Sequence, residues 1–440
     1  MTKRVLGLWV LSVLFLAGSC TDITPTSDDA GLIPIDPRTI EIRLPFHAFA
    51  DSLQLLEGYS SPALLPGALV ARKWRGDLDA NTLVRFGHPN DRIFVIPPGS
   101  TTQVTVADAA YRPIRGRVIV FFDSIEVSGT PTFEFKAGAV QTPWHVRSTS
   151  WDSAIDTLGN QSPWPEPGAG PVTPLGVARW DGLAESDSIF FPVDSLTISR
   201  WFDQTRPENG VRISVTQDGA RVRIREAALV YSVRSSINPD TVVEISALSR
   251  EMTEIYSPRA VPLDGGFRIG GAPAHRAVIH FRLPESVEGD ASVCGSVPCT
   301  VEFRPDRVVY AGLLLYTQRS APLGLQPLDT IGIDMRPVLS PDRVRRSPLG
   351  RTVQDRPTFI DPDLFGDGSD TLVEFPMTRY VRDLMREIAP GDDPVSPALA
   401  LVTGFEPWFL ERATFWGPGS GKYEPVLRIV LTITDGLALP

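Results

Sequence analysis

The feature that most limits what this chain can fold into is a long succession of short apolar runs cut by proline and glycine. They include IEIRLPF (40–46), ALVARKW (68–74), RVIVFF (117–122), TFEFKA (132–137), VRISV (211–215), ALVYSV (228–233), AVIHFRL (277–283), GLLLYT (312–317), TIGIDM (330–335), ALALV (398–402) and VLRIVLTI (426–433). Several alternate apolar and polar residues, the period of a half-buried strand, and others are apolar throughout, as strands covered on both faces are. Helical periodicity is scarce and lies mainly in DSLTISRWFDQ (194–204) and TRYVRDLMREI (378–388). The 41 prolines and 36 glycines are spread evenly and supply turns for many strands. The pattern predicts an all-β chain built as antiparallel sandwiches.

The two helical pieces arrive in the same context. SDSIFFPV (186–193) precedes the first and SDTLVEFPM (369–377) the second. Each copy reads Ser-Asp, a short apolar strand, Phe-Pro, then a helix with a candidate cap at Asp194 or Thr378. A polar or proline-bearing turn follows each helix, then a strand (GVRISV; PALALV) and a charged pair before alanine. Upstream, IRGRVIVFF (114–122) aligns with VYAGLLLYT (309–317), and NTLVRFGHP (81–89) is the candidate counterpart of HRAVIHFRLP (275–284). The repeat predicts two tandem jelly-roll-like sandwiches, each with one short helix, at 41–236 and 250–435 with a linker at 237–249.

In order, RAVIHFRLP, YAGLLLYT, FPMTRYVRDLM, ALALVTGFEP, RATFW and YEPVLRIVLTI resemble the DNRLRE-type domain of secreted bacterial proteins. The motif that names that family survives only as Arg225-Glu226 and, reversed, as Glu411-Arg412. The resemblance implies a jelly-roll sandwich similar to carbohydrate-binding modules, used as an accessory or stalk unit on cell surfaces.

The amino terminus carries an address. A basic Thr-Lys-Arg leads into an apolar run, Val5 to Gly18, too short to span a bilayer as a helix. Ala17, Gly18 and Ser19 then precede Cys20, a pattern that resembles a bacterial lipobox and implies a signal peptide at 1–19 with Cys20 as the lipidated first residue of the mature chain. Residues 20–40, rich in Thr, Asp and Pro, read as a solvated tether. The absence of aspartate after Cys20 points to the outer membrane by family analogy. The remaining cysteines, Cys294 and Cys299 in VCGSVPCT, read in an oxidising compartment as a small disulfide-closed loop. A net charge of −10 without a basic cluster argues against a nucleic-acid surface.

Standard catalytic constellations are missing from the sequence: there is no HExxH, P-loop, GxGxxG after a strand, or GxSxG elbow. Asp361, Asp363, Asp367 and Asp370 cluster in DPDLFGDGSD; they read as a solvated turn or as ligands for structural calcium, although the spacing is not that of an EF-hand. Trp144, Trp151, Trp164 and Trp180 lie in a Pro-, Gly- and Ser-rich stretch. They read either as plugs under a loop or as flat faces on which sugar rings stack. The expectation is a lipid-anchored cell-envelope protein with a non-catalytic structural, adhesion or scaffolding role, partnered by the membrane and by a glycan or envelope protein. A carbohydrate-binding lipoprotein using the tryptophan loop is the alternative, and a polysaccharide hydrolase or lyase a weaker one.

Overall fold

The computed structural model describes residues 38–57, 66–76, 78–88, 90–127, 132–157, 159–180, 187–203, 210–257, 265–272, 274–289, 299–320, 325–341, 347–386, 394–404, 406 and 410–433. Cys20 and Cys294 lie outside them, and so does the proposed disulfide. The chain is an all-β protein of antiparallel sandwiches with three helices among the described residues. None of these is long and apolar enough to cross a membrane.

The chain opens with β1 (Arg38–Pro45), a single helical turn α1 (Phe46–Phe49) and β2 (Ala50–Glu57). The first sandwich then takes β3 (Ala68–Trp74), β4 (Leu78–Phe86), the hairpin β5 (Arg92–Val95) and β6 (Val104–Ala107), β7 (Arg112–Val127), β8 (Phe133–Val140), the hairpin β9 (Ser153–Thr157) and β10 (Asn160–Pro163), and β11 (Val172–Trp180). It continues through β12 (Ser188–Asp194), α2 (Ser195–Phe202), β13 (Val211–Val215), β14 (Ala220–Arg234) and β15 (Val242–Tyr256). One leaf runs β12-β7-β14 and the other β11-β8-β13-β4. Alternate residues of both leaves meet in one core, where Val118, Val120, Phe191 and Leu229 face Val84, Phe135, Val211 and Ile213.

The second sandwich uses β16 (Gly266–Gly270), β17 (His275–Phe281), the hairpin β18 (Ser286–Gly289) and β19 (Cys299–Glu302), β20 (Val308–Tyr316), β21 (Ile331–Pro337) and β22 (Thr358–Ile360). β23 (Leu372–Pro376), α3 (Thr378–Met385), β24 (Ala398–Thr403), β25 (Arg412–Trp416) and β26 (Val426–Ile433) complete it. The repeat seen in the sequence holds at the level of pairing. β12 pairs with β7 as β23 pairs with β20, and β4 pairs with β13 as β17 pairs with β24. The strands β4 and β17, which carry the two matched motifs, are therefore equivalent. Each Phe-Pro strand feeds its helix as expected. Asp194 caps the first, accepting the Thr197 N–H at 2.7 Å. Thr378 does not cap the second; its hydroxyl instead accepts the Ala311 N–H at 3.0 Å and ties the helix to β20.

The expected chain boundaries need correction. β1 pairs along its whole length with β26, and β2 pairs with β17, so residues 38–57 belong to the second sandwich. Ile40, Leu44, Phe46, Phe49 and Ala50 enter its core. The stretch 237–249, expected to be a linker, contains the first half of β15, which pairs with β14. A bulge between Ser249 and Glu251 redirects the strand, and its second half pairs with β4. β15 is thus to the first sandwich what β1, α1 and β2 are to the second: a strap that crosses both leaves. In chain order each strap precedes a body of strands, 38–57 before 68–234 and 242–256 before 266–433. In space each strap closes the other body. Both straps lead into a Tyr-Ser step and a proline, Tyr59-Ser60 with Pro62 and Tyr256-Ser257 with Pro258. The straps of the two repeats are therefore exchanged within one chain. Simple alternation misses this because pairing partners are set by contacts far apart in sequence, such as the Arg428–Glu41 ion pair at 2.8 Å.

The two sandwiches also touch directly. Leu69, Ala71, Trp74, Leu78 and Ala80 of the first pack with Leu325 and Leu410 of the second. Arg75 lies over the Trp74 ring and pairs with Glu411 at 3.6 Å.

Candidate functional site

The tryptophan-bearing loop packs on the outer face of the first sandwich. On β8, Phe135 and Ala137 turn into the core and Lys136 turns out; on β13, Val211, Ile213 and Val215 turn in and Arg212 and Ser214 turn out. Leu83 of β4, Val140 of β8 and Ile255 of β15 give the outer face an apolar strip. Trp144, Ala154, Trp164 and Ala169 from the loop cover it.

This placement separates the four tryptophans between the two readings. Trp144 and Trp164 are plugs, 3% and 4% exposed. The Arg85 guanidinium stacks over Trp144 at 4.3 Å, donates to its carbonyl at 2.7 Å and pairs with Glu251 at 2.7 Å. The Trp164 indole N–H donates to the Ser150 carbonyl at 2.9 Å. Trp180, at the end of β11, packs on the edge of the first core, away from the loop. Trp151 turns a half-buried ring toward an open space. It rests on Gly168, where φ is +81° and a Cβ would stand 2.9 Å from the indole; any side chain there would meet both strain and a clash.

The open space is a cleft of about 430 Å³ between this loop and the uncovered part of the sheet. Trp151, Arg72, Asp79, Asn81, Lys136 and Arg212 line it. Its geometry is fixed by the Gly168 carbonyl, which accepts from Asn81 Nδ2 and Arg212 Nη1, both at 3.2 Å. Burial draws the pKa of Arg212 below the usual arginine value, with Glu166 opposing, and an arginine so placed remains charged. Asp79, 6% exposed, accepts the Lys73 N–H at 2.6 Å and pairs with Arg72 at 3.6 Å. Asp218 stands just outside. Its carboxyl is held below the usual range, first by the Lys73 hydrogen bond at 2.7 Å and then by the neighbouring positive charges. Lys136 is exposed.

Three cations thus face one carboxylate, and that carboxylate is already engaged by the backbone and Arg72. The lining contains no histidine to act as a base for Ser214. Chemically the cleft offers fixed N–H donors, positive charge and one aromatic wall, which suits an oxygen-rich ligand. Spacing alone in the sequence could not reveal it, because its residues come from four strands and a loop.

The acidic run of the second sandwich does not assemble into a calcium site. Asp361 accepts the Asp363 N–H at 3.0 Å as the cap of a short turn, and Asp370 accepts the Trp416 indole N–H at 2.7 Å. Asp367 is fully exposed, 3.9 Å from Arg319. Among the described residues no group of three or more His, Cys, Asp or Glu is placed to hold a metal ion. The four carboxylates are used separately, in a turn, an indole contact and the solvent.

No family model matches this chain, and no curated protein matches it. Among solved structures, the Faustovirus major capsid protein aligns over 98% of both chains at 8% identity with a TM-score of 0.10, a likeness too slight to carry any argument about fold or function.

Proposed function

We propose that the chain is a lipid-anchored cell-envelope protein with a non-catalytic adhesion or scaffolding role, held by Cys20 at the outer membrane. One observation carries the reading. The segment that would follow the lipidated tether is the strap of the carboxy-terminal sandwich, and the strap of the amino-terminal sandwich lies between the two bodies. An anchor attached to β1 therefore holds the second sandwich directly. The first sandwich is closed by β15 and packed against the second. Such an arrangement suits a protein that holds both sandwiches at a surface as one unit. The resemblance to DNRLRE-type domains supports the same class. Labelled palmitate should be incorporated into the wild type and lost in Cys20→Ala; a wild type that never takes up the label defeats the anchoring.

A second reading, carbohydrate binding, is favoured by the cleft: Trp151 supplies an aromatic wall beside Arg212, Lys136 and Asn81. It relocates the sugar site from a tryptophan platform to one ring and a set of polar donors. A glycan array probed with the detergent-solubilised full chain tests it. Binding that Arg212→Gln weakens supports the cleft, and silence from a well-folded sample leaves the scaffold role alone.

A further inference from the structure

Two half-buried arginines stand on the outer face of the same leaf beside the tryptophan loop, and their charges are met differently. Arg85 on β4 stacks over Trp144 and pairs with Glu251 of β15 at 2.7 Å. Arg212 on β13 stands in the cleft with Trp151, and its Nη1 donates to the Gly168 carbonyl at 3.2 Å. Among the described residues no carboxylate forms an ion pair with Arg212. Glu166 acts on it only through space, its own carboxylate lying against Gly170. A guanidinium withdrawn from water without a counter-ion is costly, and a neutral carbonyl offsets only part of that cost.

Lys136 on β8 is the second such cation. Its ammonium makes no hydrogen bond or ion pair with any described residue. Arg72, by contrast, is shared between Asp79 at 3.6 Å and Asp218 at 3.5 Å. Strand register sets how far apart the two uncommitted cations stand. Arg212 lies opposite Gly138 and Ser214 opposite Lys136, so Arg212 and Lys136 are diagonal neighbours on adjacent strands. Such a diagonal spans about 7–8 Å. In an extended peptide, side chains two residues apart leave the same face about 7 Å apart. Two carboxylates in a Glu-x-Glu sequence thus meet both cations at once, each in a charge-assisted hydrogen bond. A single phosphate does so only by drawing both side chains inward, and it sets its second charge against Asp79. Trp151 gives the peptide an apolar wall.

We infer that the cleft is a docking site for a short, extended acidic segment of a partner protein, two of whose carboxylates, two residues apart, pair with Arg212 and Lys136. The inference rests on the adhesion or scaffolding reading and names the chemistry of its partner. The chain carries a net charge of −10, so contact and not long-range attraction holds such a segment, and a short one suits a cleft of about 430 Å³.

Fluorescence anisotropy of the detergent-solubilised full chain with a labelled Thr-Glu-Val-Glu-Thr peptide tests this. Saturable binding is expected, weaker as salt rises and at least about tenfold weaker when both glutamates of the peptide are replaced by glutamine. Arg212→Gln should weaken it about tenfold or more. Lys136→Glu disturbs no contact among the described residues, so the chain should stay folded while binding is abolished. Arg304→Gln, at an exposed pair on the second sandwich, should change nothing. Inorganic phosphate and cellohexaose serve as competitors. Displacement by either at a lower concentration than unlabelled peptide requires overturns the proposal, as does equal binding of the glutamine peptide or binding that Lys136→Glu leaves intact. Palmitate labelling is read on the same samples, so a labelled, folded chain that does not bind the peptide overturns the docking site and leaves the anchored reading standing.

Discussion

Replacing Phe49 by alanine should loosen the carboxy-terminal sandwich and leave the amino-terminal one standing. Phe49 lies near the amino end of the described chain, yet it is fully buried and meets Phe46 at 5.5 Å and Phe281 at 5.6 Å. Truncating a buried phenylalanine costs about 3–5 kcal/mol, because transfer energy is lost and a cavity remains. For a unit of this size about 2–4 °C is lost per kcal/mol, so the transition of the second sandwich should fall by roughly 6–20 °C. Scanning calorimetry gives the shift, and limited proteolysis with mass mapping gives its location. Cuts should appear first within 266–433 while 68–256 persists. Leu248→Ala, at a residue 61% exposed on β15, is the control and should change little. Earlier cutting within 68–256, or no shifted transition, would contradict the placement of Phe49 in the second sandwich.

A fragment spanning 250–435, the second copy as the sequence alone divides it, should not fold cooperatively, because it lacks β1, α1 and β2; adding a peptide of residues 38–57 should restore a cooperative transition by circular dichroism. Asp194→Ala removes the cap on Thr197 and should cost about 0.5–2 kcal/mol in denaturant unfolding, with most of the loss recovered by Asp194→Asn. Glu254 is buried, and burial pushes its carboxyl up to about 8, against the hydrogen bond from the Tyr256 hydroxyl at 2.8 Å. The unfolded chain ionises this group near its ordinary 4.5 while the folded chain keeps the proton, so its contribution is full below about 4.5 and is lost as pH rises toward 8. Urea midpoints at pH 5 and pH 8.5 should therefore differ more in wild type than in Glu254→Gln; an equal difference would place the proton elsewhere.

How much the sequence disclosed depended on the range of the forces involved. Short apolar runs bounded by turn residues are a local signal, so β3, β13 and β26 are legible with the bounds read from the chain. The Ser-Asp, strand, Phe-Pro, helix repeat is equally local, and both copies run strand into helix, although only the first is capped by its side chain. The exchange of straps is not local. Residues 38–57 and 242–256 carry ordinary strand patterns, and nothing in them says which body they will close. The tryptophans show the same limit at the level of one side chain. Trp144 and Trp151 stand in similar loop surroundings, yet Leu83 and Ile255 lie under the first and the cleft opens beside the second. The cleft draws its residues from four strands and a loop, so its chemistry emerges only when the sheets are assembled.

The exchange of straps, on which the anchored scaffold rests, is tested most directly by a cysteine pair. Thr39 on β1 lies opposite Thr432 on β26. In the Thr39→Cys/Thr432→Cys chain, oxidation should produce an intrachain disulfide, seen by mass mapping as a joined pair of peptides in a monomer. An absence of that link, or its formation only between chains, would contradict the exchange and return residues 38–57 to the first sandwich.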